Sequence, residues 1–317
     1  MSRSISTEDR ISALPDPIIW HILSFVPTKT AAITSILSKR WNPLWLSVLI
    51  LHFEDETFQN MESFSHFMSS VFLLRDITLP IRSFHLNRSK RYGIETQNIN
   101  RFVHAIAQRG IENLNLELSG SITLPRSVFS CRTLVVLHLQ WITVKDLSQL
   151  VLLSGCPILE ELHAESLIVR NKEWLVSLNF VRQKFPSLPK LITANITKSS
   201  HSLALFLALL CRAKSQLLRA ELDFENEEEF EEVVDNWVYP TIIPDCLSTQ
   251  LKTCLLKGYE CTDRELQFAK YIMQNSEVLK TMSIKSASSI DTNTKHQIWM
   301  KLASCTRASS TCKLLFD

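Results

Sequence analysis

One spaced apolar pattern, repeated along most of the chain, constrains the fold of this sequence more than any other feature. An apolar residue is followed by further apolar or small residues three and five positions later, as in Ile81, Phe84 and Leu86. The eight units are Ile81/Phe84/Leu86, Ile111/Leu114/Leu116, Leu134/Leu137/Leu139, Leu159/Leu162/Ala164, Leu188/Leu191/Thr193-Ala194, Leu217/Ala220/Leu222, Leu251/Cys254/Leu256 and Leu279/Met282/Ile284. Their first positions step by 30, 23, 25, 29, 29, 34 and 28 residues. Alternation of this kind within each unit predicts a short strand.

The spacing between the units predicts that they stack. One short strand and one helix cannot bury their own apolar face, so neighbouring units must share a core. Leucine-rich repeats have a period of about 20–29 residues, and most of the steps fit it. Helical patterns lie between units at Ile99 to Ala107, Leu147 to Leu153 and Leu203 to Leu210. We therefore expect an α/β fold with an irregular leucine-rich-repeat solenoid of strand–helix units. The alternative is a generic α/β domain whose leucines match by chance.

The stretch before the repeats is too apolar for its length. From Ile11 to Leu46, 19 of 36 residues are apolar, whereas a helix that covers a core needs about three in seven. Asp16 as N-cap and Pro17 in the first turn predict a helix that Pro27 ends. A second helix is predicted after Thr28 or Thr30, and a third near Ser38. Three ordinary core helices would account for this pattern, but Trp20 and the Trp41/Trp45 pair favour a protein-binding face, because tryptophans are typical interface anchors.

This stretch closely resembles the plant F-box over about forty residues in fixed order. The motifs are Leu14-Pro15-Asp16, Ile22-Leu23-Ser24-Phe25-Val26-Pro27, Thr34-Ser35-Ile36-Leu37-Ser38-Lys39-Arg40-Trp41 and Leu44-Trp45. Pro17 replaces the acidic residue that is usual in the family, and Thr30 replaces a usual aspartate. The resemblance implies three helices that hold a Skp-type adaptor, and through it a cullin. The residues implied to form or support the adaptor face are Leu14, Pro15, Ile18, Ile22, Leu23, Val26, Pro27, Ile36, Leu37 and Trp41.

The C-terminal part is similar to the FBD segment that ends many F-box proteins. Its matching residues are Pro244, Cys246-Leu247, Leu251-Lys252, Gly258-Tyr259, Glu265, Lys270-Tyr271, Asn275 and Leu279. Thr262 followed by Glu265 predicts a capping box at the start of a helix. The expected organisation is an F-box at 9–50, the repeat solenoid at 51–243, and the FBD segment as a cap at 244–317. Between Leu162 and Pro244 the chain is shorter than proteins of this type, so repeats are expected to be missing there.

No motif in the sequence predicts catalysis, a metal or a cofactor. Eight cysteines include no CxxC pair, no His-Glu-x-x-His occurs, and five dispersed glycines form no phosphate loop. His138 and His163 occupy equivalent positions in successive units. A solvent-facing position beside each strand explains this equivalence better than a metal site does. Cys156 is expected to be a packed thiol. An acidic run from Asp223 to Asp235 is expected to be a solvated loop and helix face, with a docking surface for a basic partner as the alternative. A loose basic group (Arg82, Arg88, Lys90, Arg91, Arg101) has Tyr92 as the one aromatic residue in its close-set part, which gives little support for nucleic-acid binding.

Composition narrows the class of partner. With 34 basic and 32 acidic residues the formal net charge is +2, which favours neither nucleic acid nor anionic membrane. The first ten residues are polar and lack a secretory apolar core, and the longest apolar run, from Leu203 to Cys211, is too short to span a bilayer. We therefore expect the nucleus or cytoplasm, with free thiols.

The resulting hypothesis is a non-catalytic substrate receptor of a Skp-cullin-F-box ubiquitin ligase. The F-box would bind the adaptor and the repeats a target protein, with no cofactor. The alternative is a leucine-rich-repeat interaction scaffold, a shortened relative that joins no ligase; a hydrolase or transferase has no motif in its favour. The apolar surplus of Ile18 to Trp45 is then assigned to an external partner, because stacked repeats do not need it as filler.

Overall fold

The computed structural model of the chain describes residues 11, 13–88, 96–144, 152–169, 188–197, 210, 213, 216–224 and 243–317. Its helices are α1 (Asp16–Leu23), α2 (Thr28–Ile33), α3 (Trp41–Leu44), α4 (Met61–Leu74), α5 (Thr96–Ala107), α6 (Asp245–Thr249), α7 (Asp263–Asn275) and α8 (Thr292–Ala303). Its strands are β1 (Ile50–Glu54), β2 (Ser83–Arg88), β3 (Asn113–Thr123), β4 (Val136–Val144), β5 (Glu161–Glu165), β6 (Ile168–Val169), β7 (Thr193–Thr197), β8 (Arg219–Asp223), β9 (Thr253–Tyr259), β10 (Thr281–Ser286) and β11 (Lys313–Phe316). These elements confirm the mixed α/β class.

The described strands form one parallel sheet in which they follow chain order. The order is β1-β2-β3-β4-β5-β7-β8-β9-β10-β11, and the short β6 pairs with β4. The apolar positions of the predicted units lie side by side. One such row, from β1 to β11, consists of Phe53, Leu86, Leu116, Leu139, Ala164, Ile196, Leu222, Leu256, Ile284 and Phe316. Side chains alternate across a strand, so the whole row faces the helical side and packs there.

The predicted alignment of the fifth unit is wrong by three residues. Ala194 pairs with Leu162 and Ile196 with Ala164, so this unit reads Leu191, Ala194 and Ile196 in place of Leu188, Leu191 and Ala194. Leu188 instead makes an isolated bridge with Ala213 before the strand begins. The sheet also extends one strand beyond the predicted units at each end, to β1 and β11.

The three N-terminal helices join the core of the sheet. Ile19, Leu23, Ala31 and the Trp41/Trp45 pair are buried in one apolar cluster that continues to the last strands. The expectation that the repeats do not need these helices as filler is therefore wrong for their inner faces. Across the contact between the helices and the sheet, the backbone N–H of His52 in β1 donates a 2.8 Å hydrogen bond to Oγ1 of Thr28 in α2.

A buried arginine fastens the same junction. Arg75, just after α4, is 2% exposed, and its guanidinium donates to the carbonyls of Leu46 (2.7 Å), Val48 (2.5 Å) and Pro80 (3.0 Å). Burial, with a smaller effect of Arg109, lowers the pKa of Arg75 to about 10, so the side chain is still charged at neutral pH. Arg75 therefore ties the end of the N-terminal helices to the chain on both sides of α4.

Helix ends follow local rules with one exception. Asp16 is not an N-cap, because α1 begins at Asp16 itself after Pro15, and the Asp16 carboxylate instead pairs with Arg40 at 2.6 Å. The predicted helix over Ile99 to Ala107 is confirmed by α5, and the predicted capping box of α7 is present. The predicted helices at Leu147 to Leu153 and Leu203 to Leu210, the acidic run after Phe224, and Lys90 and Arg91 lie wholly or mainly outside the described residues.

Candidate interaction surfaces

An apolar patch on the N-terminal helices faces solvent. Its side chains come from the turn before α1, from α1 and the residues just after it, from the end of α2, and from the segment between α2 and α3. They are 43% to 80% exposed. We define the apolar patch as Ile11, Ile18, Ile22, Phe25, Ile33, Ile36 and Leu37. Seven large apolar side chains left exposed within residues 11–37 are more than the single scattered ones that a monomer surface usually carries, and such exposure is typical of protein interaction sites.

The ten residues that the resemblance implies for the adaptor face occupy three levels. Pro15, Ile18, Ile22, Ile36 and Leu37 are exposed. Leu14, Val26 and Pro27 are half-buried at the rim. Leu23 and Trp41 are each 3% exposed and lie in the core. The first group can contact a partner directly, the second can do so in part, and the last two can only hold the helices in place.

The interpretation of the tryptophans as exposed anchors is wrong. Trp41 and Trp45 lie four residues apart, which places them on one side of the chain, and that side packs into the core. Trp20 is half-buried against the same cluster. Large aromatic side chains bury the most apolar area, so in this short helical unit they serve its attachment to the sheet.

Three members of the apolar patch were not among the predicted site residues: Ile11, Phe25 and Ile33. A signal for Phe25 was present in the sequence, because helical spacing places it on one stripe with Ile18 and Ile22. In the structure its ring lies outside α1, beside His21, with ring centroids 4.8 Å apart. Ile11 and Ile33 lie outside the matched motifs, and only their exposure in the fold identifies them.

A second surface is the outer side of the sheet, which we call the strand face. Strand residues that alternate with the buried ones point away from the core. In the central row, one residue per strand from β1 to β7, lie His52, His85, Asn115, His138, His163 and Asn195. We call this row the histidine ladder. Neighbouring rings are close, with centroids 5.4 Å apart for His52 and His85 and 5.6 Å apart for His138 and His163.

Carboxylates flank the ladder. Glu54 Oε1 lies 3.0 Å from Nε2 of His52, and Glu161 Oε2 lies 3.6 Å from Nε2 of His163. Glu117 accepts hydrogen bonds from Nδ2 of Asn87 at 2.8 Å and of Asn115 at 3.2 Å. Burial is the main cause that lowers the pKa of His85 and of His138, with a further contribution from the adjacent histidines. These two rings are therefore neutral at pH 7.

The placement of His138 and His163 facing solvent agrees with the prediction, and His52 and His85 extend the row. In the sequence these two were not identified as equivalent, because the β1 segment was not counted as a unit. Among the described residues, no group of three or more His, Cys, Asp or Glu side chains is placed to hold a metal ion. Burial raises the pKa of Cys156 to about 12, so its thiol stays protonated, as a packed thiol would.

The C-terminal helix α7 begins with a buried carboxylate. Glu265 accepts from the backbone N–H of Thr262 at 2.9 Å and of Glu260 at 3.2 Å, and its own N–H donates to Oγ1 of Thr262. Burial raises the pKa of Glu265 to about 7 against the opposing effect of these hydrogen bonds. No helix within the described parts of the chain is long and apolar enough to cross a membrane.

Comparisons with known proteins agree with the two ends of the chain. A family model for the F-box domain matches residues 11–53, and one for the FBD segment matches residues 239–284. Among similar proteins, a putative FBD-associated F-box protein of Arabidopsis thaliana is 27% identical over 434 aligned positions, which cover 97% of this chain and 100% of the relative. That alignment is longer than the 317 residues of this chain, so the relative contains residues that this chain lacks.

Two further Arabidopsis thaliana relatives match in part. An F-box/LRR-repeat protein is 32% identical over 58% of this chain and 55% of its own length. An F-box/FBD/LRR-repeat protein is 32% identical over 60% of this chain and 47% of its own length. The aligned part therefore spans about half of these two relatives. The chain carries F-box and FBD domains, and its homologues include FBD-associated F-box and F-box/LRR-repeat proteins.

Proposed function

We propose that this homologue of plant FBD-associated F-box proteins is a non-catalytic substrate receptor of a Skp-cullin-F-box ubiquitin ligase. The observation that carries the proposal is the apolar patch, which lies within the matched F-box domain and is left uncovered by the fold. Four of the ten residues implied for the adaptor face belong to this patch, namely Ile18, Ile22, Ile36 and Leu37, and Pro15 is exposed as well. F-box domains generally bind Skp1-type adaptors, and burial of these aliphatic side chains against an adaptor would remove their apolar surface from water.

We also propose that the sheet is the strand side of a leucine-rich-repeat solenoid. Its strands are parallel, follow chain order and keep the same apolar rows in register from β1 to β11. Units that each pair only with their neighbours are the arrangement of a solenoid. In this reading the strand face is the surface available to a target protein. A target held there would sit near the ubiquitin-carrying enzyme at a raised effective concentration, and the receptor would act in the nucleus or cytoplasm.

A second candidate is a repeat-type interaction scaffold that joins no ligase. The length difference from the FBD-associated relative supports it, because a shortened chain can keep its F-box motifs and its strand face without joining a ligase. Both candidates predict binding through the strand face, and they differ only in adaptor binding.

The separating experiment is co-purification with a Skp-type adaptor. The chain is co-expressed with the adaptor as wild type, as Ile36→Asp with Leu37→Asp in the apolar patch, and as Leu73→Asp with Leu74→Asp. The last pair is a matched control, since Leu73 and Leu74 are also exposed, at 85% and 63%, but lie at the end of α4 outside the F-box. A charge buried at the centre of an interface weakens binding by at least about tenfold.

We expect the wild type and the Leu73/Leu74 variant to retain the adaptor and the Ile36/Leu37 variant to lose it. A wild type that retains no adaptor would favour the scaffold. Retention by all three proteins would show that the apolar patch is not the adaptor face.

A further inference from the structure

The two halves of the strand face carry opposite charge. From β1 to β5 the outward positions include the four histidines of the ladder and four carboxylates, and within the described residues of these strands they include no lysine or arginine. The carboxylates are Glu54, Glu117, Glu161 and Glu165. Since burial lowers the pKa values of His85 and His138, these two rings add no positive charge beside the glutamates at pH 7.

The other half, from β8 to β11, is cationic. Its outward positions hold Arg219, Lys257, Lys285 and Lys313, accompanied by Glu221, which pairs with Lys257, and by the buried Asp223. The strand between the halves, β7, presents only threonine and asparagine outward. The separation is therefore along the sheet, from strand to strand, and it gives the face a direction that a bound chain could follow.

Two amide oxygens in the ladder have no donor. The Oδ1 atoms of Asn115 and Asn195 are buried, and neither has a hydrogen-bond partner among the described residues. A buried acceptor without a donor costs free energy. These two oxygens are shielded from solvent, so the acceptors that a partner can reach on β1 to β5 are the glutamate oxygens, which donor-rich side chains would satisfy.

We infer that the strand face from β1 to β5 binds an extended segment of the target protein that is rich in lysine and arginine. This inference rests on the proposed function only in taking the strand face as the target surface. Lysine and arginine carry charge opposite to the four glutamates and supply several donors and no acceptor. Five strands at a spacing of about 4.8 Å span roughly 19 Å, which corresponds to about six residues of an extended peptide.

The partner's charge distribution follows from the face as a whole. A basic hexapeptide segment fits over β1 to β5, and any continuation over β8 to β11 meets lysines and an arginine. Acidic residues are therefore expected on that side of the segment. A uniformly basic partner would be attracted by the glutamates of β1 to β5 and repelled by the lysines and the arginine of β8 to β11.

The test is fluorescence anisotropy with the full-length chain and a labelled hexapeptide of alternating arginine and lysine, with a hexapeptide of alternating glutamate and serine as the opposite probe. The variant Glu161→Gln with Glu165→Gln removes two carboxylates beside the ladder. Its matched control, Glu62→Gln with Glu277→Gln, changes the net charge by the same amount at exposed positions outside the strands, on α4 and between α7 and β10.

We expect the basic probe to bind and the acidic probe not to bind at this half. The Glu161/Glu165 variant should bind the basic probe about fivefold more weakly, since exposed charge pairs each contribute modestly. The Glu62/Glu277 variant should bind it within about twofold of wild type. Equal weakening in both variants would mean that net charge alone attracts the probe, and no binding of the basic probe by the wild type would overturn the inference outright.

This outcome is independent of the adaptor experiment. A chain that binds the basic probe at the strand face but retains no adaptor would contradict the ligase proposal and leave the inference standing. A chain that retains the adaptor but does not bind the basic probe would support the ligase proposal and contradict the inference.

Discussion

The N-terminal helices and the parallel sheet are both rich in apolar residues, yet they present opposite surfaces. The helices leave isoleucine, leucine and phenylalanine side chains in solvent, up to 80% exposed at Ile36. The sheet buries its apolar rows and presents histidine, asparagine and glutamate outward.

The difference comes from geometry. A strand has two faces, and a period of two assigns every residue to one of them, so stacking neighbours can cover the whole apolar side. A short helix has a continuous circumference, and the sheet covers only part of it. In α1, Ile19 and Leu23 turn inward to the core while Ile18 and Ile22 remain outside.

Under the two proposals, the chain carries two binding surfaces with different chemistry. The apolar patch gains by removing hydrocarbon from water, which depends little on salt or pH. The strand face gains by pairing charges, which salt screens and protonation changes. A partner of one surface is therefore a poor partner of the other, and the two can be occupied at the same time.

Truncation of apolar side chains should give the largest difference between the two regions in the free energy of unfolding. Phe84 is 0% exposed, and its ring contacts those of Phe53 and Phe72 in a tilted arrangement. Phe84→Ala leaves a cavity in this cluster, and we expect it to lower the free energy of unfolding by about 3–5 kcal/mol. Ile36→Ala, which removes exposed methyl groups, should change the same quantity by no more than about 0.5 kcal/mol.

Chemical denaturation followed by circular dichroism measures both changes. Similar losses for Phe84→Ala and Ile36→Ala would mean that Ile36 is covered by the chain itself. In that case the apolar patch would not be free for a partner, and the contrast between the two regions would fail.

The junction gives the next largest effect. Arg75→Met removes the donors to the carbonyls of Leu46, Val48 and Pro80, and those buried carbonyls would lose charge-assisted hydrogen bonds. We expect a loss of about 2–4 kcal/mol in the free energy of unfolding. The carbonyls of Leu46 and Val48 lie between the N-terminal helices and β1. The variant should therefore also make the helical unit unfold before the sheet.

Arg82→Met is the control for charge alone. Its side chain is 60% exposed and faces Glu112 at 3.7 Å, so its loss should cost no more than about 1 kcal/mol. Separate transitions, recorded by hydrogen exchange of the backbone amides in the N-terminal helices and by circular dichroism for the whole chain, would support the role of Arg75. Equal effects of the two variants would contradict it.

Most of the sheet could be predicted from the sequence, because each unit states its own periodicity. Seven of the eight units lie in the predicted alignment, and the fifth was displaced because Leu188 precedes Pro189 at a spacing that imitates the start of a unit. The two outermost strands were not counted as units for a different reason, although the pattern from Val48 to Phe53 does predict a short strand. β1 follows directly on the helical stretch, and β11 has only Leu314 and Phe316 to mark it.

The division of each helix between core and solvent was harder to predict. Helical spacing identifies stripes, but which stripe faces the sheet depends on how the unit is docked, and the docking is a tertiary property. Tryptophans are typical of interfaces, but Trp41 and Trp45 lie on the side of the helical unit that packs into the core. The ladder could be predicted only in part. The predicted units place His85 and His138 at equivalent positions, but Asn115 between them breaks the run of histidines. His52 lies on β1, which was not counted as a unit.

The smallest expected effect concerns the pH response of the strand face. The pKa values of His85 and His138 lie below their usual 6.5 because burial disfavours the charged ring. Both rings are thus neutral at pH 7 and take up protons only as the pH falls further. His85 is influenced by His52, Glu117 and His138, and His138 by His163, Glu117 and Glu165, so each proton adds positive charge directly beside the glutamates.

Binding of the basic hexapeptide should therefore be constant from pH 8 to pH 7 and weaken by about threefold between roughly pH 6.5 and pH 5.5. His85→Asn with His138→Asn places at these positions the residue that Asn115 and Asn195 already hold in the same row, and it should reduce that weakening. The matched control is His66→Asn with His296→Asn at exposed positions on α4 and α8. Anisotropy titrations of the three proteins over this pH range decide the matter, because an unchanged pH profile in the ladder variant would place the titrating groups elsewhere than on the strand face.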